Sequence, residues 1–167
     1  MLYSNVNAAL IGLIIEKLSN SSVDLEISKK IILPLGMNET NFKREKLVKG
    51  YSSWGCLTPH FDLHDSFNAV GGISSNINDL IKFTNYLKAN NDIFTSLKKL
   101  KEYNLGYFCE LLDNDNILLS SGVVKGHSSI IAVDKSKNRT LIALSNTGVD
   151  ITKLVYPFIG LNTYLRE

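Results

Sequence analysis

A tyrosine and an asparagine separated by one residue, Tyr3 and Asn5, stand immediately before a long apolar segment. A phenol can transfer a proton and a carboxamide can orient a polar group, so the pair is suited to acid–base work. The same two residues can instead cap the helix that follows, and so short a motif often matches by chance. Taken alone, the tripeptide favours the capping role over the catalytic one.

An amine one helical turn from a serine can accept its proton, and Ser96 and Lys99 have this Ser-x-x-Lys spacing. This pair lies in a lysine-rich segment that is typical of a solvated helix face. We therefore interpret Ser96 as a surface residue rather than a nucleophile, because a pattern of this kind matches freely.

A possible zinc motif, Cys-x3-His-x3-His, is formed by Cys56, His60 and His64. Pro59 interrupts any helix that would align the histidines, and the sequence offers no evident fourth ligand. We therefore predict no metal and no other cofactor. A nucleophilic Cys56 is disfavoured for want of an identifiable oxyanion hole, and Cys56 and Cys109 are expected to be unpaired core residues.

The overall charge argues against a nucleic-acid partner. The 167 residues include 18 basic and 16 acidic side chains, a net charge of +2, with no basic stripe to neutralise phosphates. A hydrophobic fraction of 44% is typical of a globular protein, and one domain is expected over residues 1–167. The apolar run at residues 8–15 is too short to span a bilayer, and we expect no signal peptide within this sequence.

The elements that must position these residues change character along the chain. Residues 1–101 are predicted to be mainly helices and a long irregular loop at residues 38–67, with Ser4 as the N-cap of a first helix buried on most of its circumference. Residues 102–146 predict an antiparallel meander, the apolar run at residues 141–144 predicts a strand buried on both faces, and residues 147–167 predict a C-terminal helix. The strands are predicted at residues 103–112, 117–121, 128–133 and 139–145.

Several segments, in their order, resemble the C-terminal part of the serine β-lactamase and penicillin-binding-protein superfamily, in its class C, D-alanyl-D-alanine carboxypeptidase and esterase branch. Tyr3-Ser4-Asn5 resembles the Tyr-x-Asn box, and Pro-Leu-Gly-Met at residues 34–37 and Gly-Gly-Ile-Ser-Ser at residues 71–75 resemble segments that follow it. The resemblance implies an α+β fold, a partial β-lactamase/transpeptidase-like fold in which helices flank an antiparallel meander. The first two strands and the nucleophile helix of that fold are expected to be missing.

The resemblance also implies residue roles. The superfamily forms a covalent serine ester, with its nucleophile in a Ser-x-x-Lys box upstream of Tyr-x-Asn, and this chain begins at Tyr-x-Asn. Tyr3 would then transfer protons and Asn5 would orient the substrate. A third box, Lys or His followed by Thr or Ser and then Gly, falls on Ser120-Ser121-Gly122, which would bind substrate. The missing cation at Ser120 weakens carboxylate recognition.

The implied function is a β-lactamase-related serine acyl hydrolase of bacterial type that is inactive alone, acting on β-lactams, D-alanyl peptides or esters. A non-catalytic interaction module and one half of a two-chain enzyme stay open as alternatives. The implied ligands are a small acyl substrate or a peptidoglycan-like peptide, and the implied location is extracytoplasmic. Because the missing first strand pairs with the last in the resembled fold, the strand Arg139–Ser145 is expected to be an open edge for self-association or an N-terminal partner.

Overall fold

The computed structural model describes residues 4–43, 47–59, 68–103, 109–113 and 115–160. These residues form helices and antiparallel sheets, so the predicted α+β class is confirmed. The chain divides into two compact units, residues 1–47 with 62–86 and residues 48–61 with 87–167. The first unit is helical, and the second is built on a sheet.

The first unit contains the helices α1 (Asn5–Ser19), α2 (Val23–Ile27) with a π-helical continuation (Ser28–Ile32), α3 (Asn68–Gly71) and most of α4 (Ile77–Ala89). The predicted N-cap of α1 is confirmed, because the Ser4 hydroxyl accepts a hydrogen bond from the Val6 N–H at 3.2 Å. The helix ends at Asn20, whose φ of 52° is left-handed.

The burial of α1 differs from the prediction. Its buried residues are Ala8 and Gly12, and Gly12 lets α3 approach so closely that a Cβ there would lie 2.7 Å from the Ala69 Cβ. The prediction that most of the circumference is buried was wrong. An apolar helix is buried only where other elements pack on it, and α2 and α3 pack on one side of α1. The large apolar side chains on the rest of the helix are 36–83% exposed: Val6, Leu10, Ile11, Leu13, Ile14, Ile15 and Leu18.

A buried carboxylate joins α4 to the turn that precedes residue 41. Asp79 is 3% exposed and accepts hydrogen bonds from the Glu39 N–H at 2.8 Å and the Thr40 hydroxyl at 2.9 Å. It also pairs with Lys82 at 2.9 Å, and Lys82 donates to the Gly36 carbonyl. Burial opposes ionisation of Asp79, but the hydrogen bonds outweigh it and hold the pKa below its ordinary value.

The second unit begins with a short hairpin of β1 (Gly50–Tyr51) and β2 (Leu57–Thr58), inside the segment predicted to be an irregular loop. The helix α5 (Asn91–Glu102) follows α4 and leads to the sheet. Lys101 ties α5 to the sheet, since its ammonium group lies 2.6 Å from the Asp115 carboxylate and 3.3 Å from the Leu111 carbonyl oxygen.

The sheet is an antiparallel meander of four strands in the order β3 (Glu110–Leu112), β4 (Ile117–Val124), β5 (His127–Asp134) and β6 (Arg139–Ser145). The predicted meander is confirmed, and β6 has the predicted bounds. The structure extends β4 by three residues beyond its predicted end at residue 121. The described part of β3 begins at Glu110, and residues 104–108 lie outside the described residues.

The core of the second unit lies between the sheet and a short helix, α6 (Thr152–Val155), with its 3-10 continuation (Tyr156–Ile159). Strand β6 contributes Leu141 and Ala143 to this core, but Leu144 is 42% exposed. The prediction that β6 is buried on both faces was therefore wrong: among the described residues β6 pairs with β5 alone and is an edge. The buried core residues are Ile117, Leu119, Ile130, Ala132, Val155 and Ile159.

Candidate functional site

Ser120, Ser121 and Gly122 lie on β4 where the strand leaves the core. The preceding residues of β4 are buried and pair with β3, whereas Ser120 is half-buried and Ser121 and Gly122 are exposed. On the other side the three residues pair with Ile131, Ile130 and Ser129 of β5. Within the described ranges, no strand lies beside the other edge of β4 from residue 120 to 124. The exposed residues Ser121 and Gly122 are therefore accessible to a ligand.

A hydroxyl that the sequence did not reveal lies beside this segment. Ser129 of β5 is exposed and is the register partner of Gly122, and a Cβ added at Gly122 would lie 3.7 Å from its hydroxyl oxygen. Because side chains alternate along each strand, Ser120 and Ser129 project from the same face of the sheet. Only the register of the β4–β5 hairpin identifies Ser129, and the sequence carried no independent signal for it.

The strand segment is electrically neutral. Its side chains are the hydroxyls of Ser120, Ser121 and Ser129, which both donate and accept hydrogen bonds. The position where the resemblance calls for Lys or His is occupied by Ser120. The segment can therefore bind polar uncharged groups, but it lacks the cation that would pair with a carboxylate.

The turn that joins β4 to β5 packs closely against the β1–β2 hairpin. Gly126 has a φ of +84°, and a Cβ there would lie 2.2 Å from the Thr58 hydroxyl oxygen. The Nε2 atom of His127 lies 2.9 Å from the Val48 carbonyl oxygen, and since a carbonyl only accepts, Nε2 donates. His127 thus forms a hydrogen bond at the start of its strand, the structural role that histidines more often have there.

The structure does not test the catalytic role of the Tyr-x-Asn box. Tyr3 lies outside the described residues, while Asn5 is the exposed first residue of α1 in the first unit. The segment 120–122 belongs to the second unit. The catalytic roles of Tyr3 and Asn5 stay predictions.

The other reactive side chains do not form a site among the described residues. Ser96 and Lys99 are exposed one turn apart on α5, in agreement with a solvated face. His60 and His64 lie outside the described residues, and the described part of the chain holds no cluster of three or more His, Cys, Asp or Glu suited to a metal ion. It also contains no helix of sufficient length and apolar character to cross a membrane.

Both cysteines are free, but only one lies inside the protein. Cys56 is exposed, so its assignment to the core was wrong, because it lies in the turn of the β1–β2 hairpin. Cys109 is half-buried beside β3. Burial, assisted by the negative charge of Glu110, raises the pKa of the Cys109 thiol to about 11, which keeps it protonated and weakly nucleophilic at neutral pH.

The meander, its flanking helices and the Ser-Ser-Gly segment on its second strand define a fold of the serine β-lactamase and penicillin-binding-protein class. Comparison with known families supports this assignment: residues 1–156 match the Beta-lactamase family model. The chain belongs to the β-lactamase family, and the family inferred from the sequence is confirmed.

Solved structures share this fold at low sequence identity. The octameric penicillin-binding protein homologue from Pyrococcus abyssi is 23% identical with a TM-score of 0.71, and the match covers 99% of this chain and 44% of that one. A class C β-lactamase is 18% identical with a TM-score of 0.72, covering 99% and 58%. The D-amino acid amidase from Ochrobactrum anthropi SV3, complexed with L-phenylalanine amide, is 21% identical with a TM-score of 0.60, covering 88% and 50%.

A curated relative, Protein flp from Staphylococcus aureus (strain NCTC 8325 / PS 47), is 25% identical over 177 residues. The match covers 92% of this chain and 35% of that protein. The chain therefore spans about a third of the length of the curated relatives that it matches.

Proposed function

We propose that the chain provides the substrate-binding strand and the Tyr-x-Asn box of a β-lactamase-related serine acyl hydrolase, without the nucleophile. The observation that carries this proposal is that Ser121 and Gly122 are exposed where β4 leaves the core, next to the half-buried Ser120. An acyl or peptide substrate can bind to an exposed strand segment of this kind through hydrogen bonds. Membership of the β-lactamase family supports acyl transfer as the reaction class.

In the proposed reaction, a serine hydroxyl supplied by a Ser-x-x-Lys segment outside residues 1–167 attacks the substrate carbonyl. The acyl bond to the amine or alcohol breaks, and the leaving group takes up the proton that the serine loses. Water then hydrolyses the acyl-serine ester to the free acid. Tyr3 would pass the proton and Asn5 would orient the substrate, while residues 120–122 would hold the acyl group beside β4.

The neutral strand suggests which acyl substrates suit it best. With Ser120 at the cation position, a substrate carboxylate finds no ionic partner on this segment, and recognition loses a charge-assisted hydrogen bond. The binding of uncharged esters and amides is not weakened by a serine in place of the cation. We therefore favour them over β-lactams and D-alanyl peptides, which carry a carboxylate.

The reactivity of the chain tests the proposal. Intact mass is measured after incubation with a fluorescent penicillin and, separately, with an activated ester, for the wild type and Ser96→Ala. We expect no stoichiometric adduct on either protein, because the nucleophile lies elsewhere. An adduct that disappears in Ser96→Ala would make Ser96 the nucleophile, and one retained by Ser96→Ala would reveal another nucleophile in the chain; either result overturns the proposal.

A second candidate function is a non-catalytic interaction module, which is favoured by Ser120 at the position of the cation. Its binding surface would be the edge strand Arg139–Ser145, where Leu144 is 42% exposed. An open, partly apolar edge pairs readily with another strand. We expect self-association or binding of an N-terminal partner through β6, measured by light scattering over a range of concentrations. A monodisperse monomer at high concentration contradicts self-association, and a partner that leaves amide exchange in β6 unchanged contradicts partner binding.

A further inference from the structure

The turn of the β1–β2 hairpin carries a large aromatic side chain that is open to solvent. Trp54, the single tryptophan of the sequence, is 90% exposed, and Leu57 on the same hairpin is 60% exposed. Residues 53–57 are all exposed, so solvent surrounds the turn. A tryptophan is highly buried in most folds, because its indole ring has a large apolar surface. The hairpin therefore presents apolar surface that the described residues leave uncovered.

The backbone that carries Trp54 forms an ordered turn. The Ser52 hydroxyl accepts hydrogen bonds from the Trp54 N–H at 3.3 Å and from the Cys56 N–H at 3.2 Å. The Ser52 N–H also donates to the Cys56 carbonyl oxygen at 2.8 Å. Gly55, with a φ of +75°, supplies the left-handed conformation that closes the turn. The exposed indole is therefore attached to a hydrogen-bonded turn.

The base of the hairpin is attached to the sheet at two places. Gly50 packs on the β4–β5 turn so closely that a Cβ there would lie 2.7 Å from the Gly126 carbonyl oxygen. The Tyr51 N–H donates to the Asn146 carbonyl oxygen at 2.9 Å, and the Tyr51 carbonyl oxygen accepts a hydrogen bond from the Gly148 N–H at 2.9 Å. The hairpin is therefore a preformed projection at the β4–β5 end of the sheet.

The charge around the base of the hairpin is positive. Lys49 precedes β1 and Lys125 lies in the β4–β5 turn, and both are exposed. Residues 47–59 and 117–133, which contain the hairpin and the strands β4 and β5, include no Asp or Glu. Within the described ranges neither ammonium group forms an ion pair. This end of the second unit therefore combines an apolar tip with a cationic base, and its charge is complementary to an anionic surface.

The apolar area of the hairpin is too small for a specific protein interface. A covered tryptophan buries about 150–250 Å², and Trp54, Leu57 and Val48 together offer on the order of 300 Å². A stable interface buries about 800 Å² of each partner. A bilayer sets no such minimum, because a ring that enters the headgroup region is surrounded by lipid, while lysines beside it remain near the phosphates. The hairpin is therefore better suited to a lipid surface than to a protein.

We propose that the β1–β2 hairpin binds the surface of a membrane that contains anionic phospholipids. Trp54 and Leu57 enter the bilayer at the level of the headgroups, and Lys49 and Lys125 lie near the lipid phosphates. Binding of this kind lies on the bilayer and requires no spanning helix. It is independent of the proposed acyl transfer, because the hairpin contains none of the residues to which that function assigns a role.

The fluorescence of Trp54 reports the binding directly, since the sequence contains one tryptophan. Residues 1–167 are mixed with vesicles of phosphatidylcholine, with and without phosphatidylglycerol. The emission maximum is recorded, together with quenching by lipids that carry brominated acyl chains. Cosedimentation with the vesicles measures the partition coefficient, so that variants without the tryptophan can be compared.

Phe158→Ala is the matched control for Trp54→Ala. Phe158 is an aromatic residue that is 73% exposed, and it precedes Gly160 by two residues. A Cβ at Gly160 would lie 3.8 Å from the Lys137 ammonium group in the β5–β6 turn, which is at the opposite end of the sheet from the hairpin. The two substitutions thus remove exposed rings from the two ends of one unit.

We expect the emission of the wild type to shift to shorter wavelength, and to be quenched by the brominated chains, with the phosphatidylglycerol vesicles. Trp54→Ala should partition at least about tenfold more weakly, because binding of this kind scales with the apolar area inserted. Phe158→Ala should partition like the wild type.

The lysines are tested by two double variants of equal charge. Replacement of Lys49 and Lys125 by serine should weaken partitioning by about fivefold for each lysine. Replacement of Lys99 on α5 and Lys137 by serine removes the same charge away from the hairpin, and it should change partitioning by less than about twofold, because salt screens distant charges. Equal losses in the two double variants would overturn the assigned role of Lys49 and Lys125.

The proposal is overturned if anionic vesicles leave the emission of the wild type unchanged, or if Trp54→Ala partitions like the wild type. It is also overturned if Trp54→Ala and Phe158→Ala lose equally. Polyphosphate in solution separates lipid from a soluble polyanion, and an equal emission shift with polyphosphate would assign the hairpin to the polyanion. Circular dichroism shows whether the variants stay folded, and the fluorescence of the wild type tests the proposal without any substitution.

Discussion

The strands β4 and β5 and the helix α1 are all rich in large aliphatic residues, yet they end in opposite environments. In the sheet, Ile117, Leu119 and Ile130 are 1% exposed because α6 and its continuation cover that face. On α1, Leu10 and Ile14 are 51% and 56% exposed because α2 and α3 cover only the side that carries Ala8 and Gly12. Apolar composition therefore indicates how much surface would be stabilised by burial. Whether that surface is buried depends on whether another element of the fold packs on it.

Truncation of one leucine in each region tests this contrast most directly. Leu119→Ala removes a buried side chain and leaves a cavity, so we expect a loss of about 2–5 kcal/mol in the free energy of unfolding. Leu10→Ala removes a side chain that is already half in water and replaces it with a better helix former, so we expect a change under about 1 kcal/mol. Urea denaturation followed by circular dichroism measures both. Similar losses in the two variants would show that α1 is buried in solution and would end the comparison.

Two glycines of the β4–β5 hairpin differ in the space around them. In Gly126→Ala the new Cβ would meet the Thr58 hydroxyl at 2.2 Å in a left-handed backbone, so we expect a cost of about 2–3 kcal/mol. Gly122→Ala places its Cβ 3.7 Å from the Ser129 hydroxyl oxygen, the nearest atom among the described residues, and we expect a change of about 0.5 kcal/mol or less. The thermal midpoints of the two variants measure the difference. A loss at Gly122 as large as that at Gly126 would mean that the space for a side chain at Gly122 is already filled.

Local patterns predicted the parts of the fold that depend on neighbouring residues. The Ser4 cap, the antiparallel order of the meander and both ends of β6 follow from spacing and turn residues, and the structure has them. The prediction failed where burial depends on distant partners, as for α1 and for the outer face of β6. The β1–β2 hairpin was missed because strands of two residues have no periodicity to detect.

The candidate site also has residues that local patterns predicted and residues that only the structure identifies. The box at Ser120-Ser121-Gly122 stays a prediction from order and spacing, and the structure adds that the segment lies where β4 leaves the core. Ser129 became visible only through the register of two strands, which no local pattern specifies. The resemblance implies a role for Asn5 in orienting the substrate. The position of Asn5 at the start of α1 does not test this role, because the role depends on the substrate and the nucleophile.

A third contrast concerns Asp79, the buried carboxylate of the first unit. The lowered pKa of Asp79 means that its ionised form stabilises the fold above the ordinary aspartate pKa, and that this contribution is lost as the pH falls through the lowered value. Asp79→Asn should therefore cost about 2 kcal/mol at pH 7, because the hydrogen bonds donated by Lys82 and the Glu39 N–H lose their charged acceptor. The cost should shrink toward pH 3, as the wild type itself becomes protonated.

Urea denaturation at pH 7 and at pH 3 measures this dependence, with Asp92→Asn as the control because Asp92 is exposed on α5. The control should change stability by less than about 0.5 kcal/mol at either pH. Equal losses for Asp79→Asn at both pH values would show that the shape of the side chain, and not its charge, holds α4 to residues 39 and 40. The first unit would then depend on packing, as the sheet does. The remaining difference between the two regions would be that α1 has exposed apolar side chains.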